Sequence, residues 1–181
     1  MSITLPHSIE NISGEKLTFL RIVNKDGVEY LETESEVQPN AGPPMHVHHK
    51  QDESMTVLSG KIGYQELNGA KKYAGPGETA LFKAGVPHKF WNAGNEPLRL
   101  TGYASPANNL VYFLSQIYRS MNENGGRPGT YDAAYLLRRY KTEFSMLEIP
   151  AFVQKLVFPV VLFAGNIRGK KKKFMDAPAP L

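Results

Sequence analysis

The chain has no cysteine among its 181 residues, which rules out disulfides and thiolate ligands, so any bound metal must be held by nitrogen and oxygen. It has no apolar run long enough to cross a bilayer: the most hydrophobic stretch, Leu156–Gly165, is about half the length a spanning helix needs, and Gln154 and Lys155 interrupt it on one side. The opening residues Met1–His7 contain neither a basic leader nor the apolar run of a signal peptide, so a cytoplasmic location is expected. Low-complexity linkers and internal repeats are also lacking, which leaves one domain with an appendage.

What is plentiful fits a β protein. Hydrophobic residues make up 41% of the chain, a globular composition, and 16 Gly with 13 Pro supply many turns. The formal charge of +4 is unevenly spread. Residues 1–105 carry 10 Lys and Arg against 12 Asp and Glu, whereas residues 106–181 carry 11 against 5. Part of that excess is the run Lys170–Lys173, which reads as a solvated tail or as a contact for an anionic surface. Without interleaved aromatics or a recognisable motif, no nucleic-acid partner is expected.

Alternating apolar and polar residues predict a hairpin from Lys16 to about Gln38, turning at Asp26-Gly27. Short strands are predicted over 43–48, 53–59, 61–67, 71–74, 79–83, 88–92 and 97–103, with Asn68-Gly69 as a type I′ turn. Such spacing indicates a sandwich or barrel. At Ser105-Pro106 the period changes: Ser105 is placed to cap a helix over about 106–122, with Leu110, Phe113, Leu114, Ile117, Tyr118 and Met121 along one stripe. A second helix is predicted near 131–144, capped by Thr130, and a third from about Glu148-Ile149-Pro150. Residues 1–105 are therefore a barrel domain and 106–181 a helical extension with a basic tail. The first helix leaves from a barrel rim with almost no linker, so it is expected to close a mouth of the barrel; the sequence does not say which.

The chemistry lies in two segments. His46 and His48 stand at i and i+2, so a strand presents both imidazoles on one face. Glu53 adds a carboxylate and His88 a third imidazole from another strand, a nitrogen and oxygen set that leaves coordination positions open. His49 falls on the opposite face and reads as a surface residue, and His7 has no motif partner. If Glu53 points inward then Met55 does too, Phe90 accompanies His88, and Tyr64 faces them from the next strand, giving an apolar, aromatic pocket.

These segments resemble the two motifs of the cupin superfamily. Gly42, His46, His48, Glu53 and Gly60 match the first, with Gly42 nearer His46 than usual; Gly77, Gly85, His88 and Asn92 match the second, with Lys83 where a proline is expected. The resemblance implies a mainly β fold, a double-stranded β-helix or jelly-roll barrel over about residues 15–105, here with a C-terminal α-helical extension. It implies a divalent transition metal on His46, His48, Glu53 and His88, with Fe, Mn, Ni, Co, Cu and Zn all acceptable to such ligands. Glu53 is the one ligand able to loosen and take a substrate proton. Resembling quercetin-dioxygenase-like members, the chain is expected to be a metal-dependent oxidoreductase acting on a small organic substrate; a non-enzymatic binding or sensing protein and a sugar isomerase or epimerase are the alternatives. A homodimer is expected, burying barrel edges and part of the extension; the apolar run 156–164 is expected to be buried at that interface or over the barrel, with peripheral membrane contact as the competing alternative.

Overall fold

A computed structural model describes residues 3–181; Met1 and Ser2, part of the stretch weighed as a leader, lie outside them. Ten strands come first: β1 His7–Asn11, β2 Glu15–Lys25, β3 Val28–Val37, β4 His46–His48, β5 Asp52–Ser59, β6 Ile62–Glu66, β7 Lys72–Ala74, β8 Thr79–Phe82, β9 His88–Asn92 and β10 Leu98–Ser105. There follow α1 Leu110–Glu123, α2 Thr130–Arg139, a further strand β11 Phe144–Met146, and α3 Phe158–Ile167, which continues a π-helical turn over Val153–Val157. The strands form two antiparallel sheets, ordered β1-β2-β3-β10-β5-β8 and β11-β4-β9-β6-β7, and face each other as a jelly-roll barrel.

The β2–β3 hairpin is as expected, with Lys25 opposite Val28 and both Asp26 and Gly27 at positive φ, 53° and 82°. Asn68-Gly69 departs from expectation. Only Asn68 has positive φ, and Tyr64 pairs with Lys72, so the connection is longer than a two-residue type I′ turn. β1 adds an unforeseen edge strand in which His7 pairs with Phe19; the His7 ring stacks over Phe19 and its Nε2 meets Ser115 Oγ at 3.0 Å.

Three expectations about the extension need correction. Ser105 does not cap α1; its hydroxyl donates to the Glu29 carbonyl at 2.8 Å, and the helix begins at Leu110. The Glu143 carboxylate receives the Asn109 N–H and side-chain amide there, placing a negative charge at the helix N-terminus. Thr130 is the first residue of α2, not its cap. And α2 stops at Arg139 instead of running to 144, because Phe144–Met146 is drawn off as β11 to cover the edge of β4, Phe144 opposite His48 and Met146 opposite His46.

Two apolar cores result. One lies between the sheets around Val37, Val57, Ile62, Phe82, Leu98 and Leu100. The other joins the six-stranded sheet to the helices through Phe19, Leu31, Leu110, Phe113, Leu136 and Tyr140. Gly165 lets α3 approach α2 closely, since a side chain there would fall 2.1 Å from the Tyr131 ring. Among the described residues no helix is long and apolar enough to cross a membrane.

Candidate metal centre

The site sits where the two cores meet. Alternation along β4 puts His46 and His48 on one face with ring centroids 5.0 Å apart. β9 pairs with β4 at one position, His88 opposite His46, and brings the third ring within 4.5 Å of His46 and 5.7 Å of His48. From the other sheet, Glu53 reaches across at the start of β5: its Oε2 lies 2.9 Å from His88 Nε2 and 3.9 Å from His48 Nε2. One ligand atom from each of the four falls within 4.8 Å of the others.

The ring nitrogens away from this cluster all face acceptors. His46 Nδ1 meets the Pro44 carbonyl at 2.9 Å, His88 Nδ1 the Val86 carbonyl at 2.9 Å, and His48 Nδ1 the Gln51 Oε1 at 3.3 Å. Gln51 is itself oriented, since its amide donates to the Ala107 carbonyl just ahead of α1. A proton on each Nδ1 leaves each Nε2 lone pair aimed at the centre. With that arrangement His88 Nε2 and Glu53 Oε2 both present lone pairs at 2.9 Å unless a second proton or a cation stands between them. Three convergent imidazole nitrogens and a carboxylate suit a borderline divalent metal.

Electrostatics keep the set in its ligating form. Burial, with the charges of His48 and His88, pushes the His46 imidazole down to about 3, so it is neutral at neutral pH. His48 is lowered chiefly by burial, against the pull of Glu53. At Glu53 burial works to raise the carboxyl, but the hydrogen bond from His88 and the neighbouring imidazoles outweigh it and bring it to about 2.

Backbone features hold the ligands in place. Gly42 has φ 149°, and a side chain there would lie 2.2 Å from the Phe90 carbonyl, so its bareness lets the loop lie against β9. Asn92 is buried; its amide donates to the Val37 and Glu96 carbonyls at 2.8 Å, tying the end of β9 to β3. At Lys83, in place of a proline, stiffness has another source: Asp52 receives the Ala84 N–H at 2.9 Å and the Lys83 ammonium at 2.7 Å.

A cavity of about 530 Å³ opens from the site toward the helices. His46, His48 and Glu53 form part of its wall, together with Met55 and Phe90. Leu114 and Ile117 of α1 line the same space, so the helical extension roofs the ligand-bearing mouth. Tyr64 is not part of that lining; it packs in the inter-sheet core with its ring edge-on to Phe82 at 5.8 Å. His49 is exposed and meets Ser145 Oγ at 2.7 Å. Two contributors went unread in the sequence. Gln51 lay inside the motif with nothing to indicate its partners, and Phe144, edge-on to His48 at 5.5 Å, belongs to a three-residue strand with no periodicity to detect.

The cupin domain family model matches residues 33–103. No curated protein matches. Solved structures with a similar fold include an uncharacterised conserved protein with a double-stranded β-helix domain from Klebsiella pneumoniae, 23% identical over 55% of this chain and 83% of that one, with a TM-score of 0.47. A sugar phosphate isomerase of the cupin superfamily from Silicibacter pomeroyi is 21% identical over 54% and 62% of the two chains, with a TM-score of 0.45. A protein described as a predicted oxalate decarboxylase from Thermotoga maritima is 20% identical over 55% and 90%, with a TM-score of 0.43. The matched residues span both histidine-bearing segments and the strands that carry them, so residues 33–103 form a cupin domain.

Proposed function

We propose that the protein is a metal-dependent cupin enzyme, a dioxygenase-like oxidoreductase acting on a small, largely apolar organic substrate. The observation that carries this is the convergence of His46, His48, Glu53 and His88 at the wall of an apolar cavity roofed by α1. A transition metal on these residues supplies a Lewis acid for a substrate oxygen and, if redox-active, a site for dioxygen chemistry. The chain supplies the rest. Phe19, Met55, Phe90, Phe113 and Ile117 exclude water and favour a flat or apolar molecule. Glu53 is the carboxylate we assign to take a proton from the substrate: freed from His88, it keeps the burial that favours its protonated form, against the pull of His48 and His46.

The sugar isomerase alternative fits the cavity less well. Of the lysines and arginines among the described residues Lys16 alone lines the cavity; Lys83 and Arg99 are exposed, are engaged by Asp52 and Glu36, and lie outside it. The test is elemental analysis of purified protein followed by oxygen uptake of Fe- or Mn-loaded protein over a panel of aromatic and enol compounds. Uptake that depends on both metal and compound is expected. Tight binding of a compound without turnover would instead make the barrel a binding or sensing module.

A further inference from the structure

The apolar run of the extension is not covered by the fold. Phe152, Leu156, Val160, Phe163 and Ile167 are 62%, 68%, 66%, 69% and 72% exposed. They recur at spacings of three and four, so they form one stripe along α3 and the turn before it. The opposite side of α3 is occupied: Phe158 and Gly165 are buried, and Gly165 lies against Tyr131 of α2. A helix apolar on every side needs a second cover.

The charges beside the stripe say what kind of cover. From Glu148 to Asp176 the chain has no acidic residue between them, but it has Lys155, Arg168 and Lys170–Lys173. Lys173 is held by Glu123 and Asp132. Lys155, Arg168, Lys170, Lys171 and Lys172 are exposed, and no ion pair involves them among the described residues. We propose that this face docks the protein on an anionic lipid surface, the stripe entering the headgroup boundary while the cations meet lipid phosphates. Exposed apolar side chains on a helix with cations at both of its ends suit an anionic membrane interface, and the two signals together give an attachment neither gives alone. A second copy fits less well. Five side chains fall short of the roughly 20 to 30 residues a side of a stable interface, and pairing would bring two acid-free basic segments together. The homodimer expected from the sequence drew part of its reason from this same run.

The test uses the full chain and vesicles of phosphatidylcholine, alone or mixed with phosphatidylglycerol. The protein should sediment with the mixed vesicles, bind the neutral ones weakly, and be released by salt. Lys171→Glu with Lys172→Glu should weaken partition by about fivefold or more for each lysine lost. Val160→Asp with Phe163→Asp should abolish it, while metal content and melting temperature, which report the fold, stay unchanged. Failure of the native protein to bind anionic vesicles, or binding insensitive to both pairs of substitutions, overturns the proposal. So does light scattering that shows a dimer which Val160→Asp and Phe163→Asp convert to monomer, since the stripe would then join two copies.

Discussion

Each of the three imidazoles gives its Nδ1 to an acceptor of the protein, so its Nε2 is committed before any ligand arrives. His48→Ala should therefore lower bound metal well below one per chain and remove the stabilisation that metal confers, about 2.7 kcal/mol at a hundredfold excess over Kd. Metal analysis and melting curves with and without added ion would show both. His49→Ala, which removes an exposed contact with Ser145, should leave both unchanged. Acid should act on the same residues. His46 is held at about 3 against an ordinary 6.5, so the unfolded chain binds a proton that the folded one refuses; stability is intact above pH 6.5 and falls as the pH drops toward 3. Glu53, lowered from 4.5 to about 2, adds a loss beginning below 4.5. Urea unfolding of metal-free protein at stepped pH should show a midpoint flat at neutrality and declining below it, with at most about 1.4 kcal/mol per pH unit from each group. An unchanged midpoint at pH 5 would contradict the burial argument for His46. The cluster was legible in the sequence because the strand period fixes which of His46, His48 and His49 share a face, and the motif spacing adds Glu53 and His88. Gln51 and Phe144 were not, because their roles depend on partners 56 and 96 residues away in the chain.

Among the elements, local chemistry was readable where one turn or one stripe decided the outcome. Asp26-Gly27 takes the backbone its residues favour, and the apolar stripe of α1 packs as its spacing requires. Asn68-Gly69 has equally good chemistry, yet the pairing of Tyr64 with Lys72 sets a longer connection. Ser105 would serve as a cap, but a nearer acceptor at Glu29 takes its hydroxyl. β11 is three residues long, and its reason to exist is the open edge of β4. The roof formed by α1 predicts a change in selectivity. Ile117→Ala should enlarge the cavity and admit bulkier compounds, readable as affinity for a homologous ligand series, at a stability cost below the roughly 2–5 kcal/mol of a fully buried site because Ile117 is only partly buried. Gly165→Val should separate α3 from α2 through contact with Tyr131 and lower the melting temperature, with metal content preserved.

For the whole molecule, barrel and extension are not two independent parts, although a boundary at residue 105 follows from composition and period. The extension supplies a strand to the sheet that bears His48, a ring against His48, and the roof of the cavity. It also supplies the carbonyl of Ala107, which holds Gln51 in the orientation that receives His48 Nδ1. That last link has a thermodynamic consequence. If a molecule in the cavity displaces the start of α1 and with it the Ala107 carbonyl, it acts on the chain of hydrogen bonds that reaches His48, and cavity occupancy and ion affinity then share a coupling free energy. Coupling is reciprocal: if zinc tightens an apolar probe by some factor, the probe must tighten zinc by that factor. Calorimetric titrations in both orders should return one number different from unity, and Gln51→Leu, which cuts the relay without touching the four clustered residues, should bring it toward one.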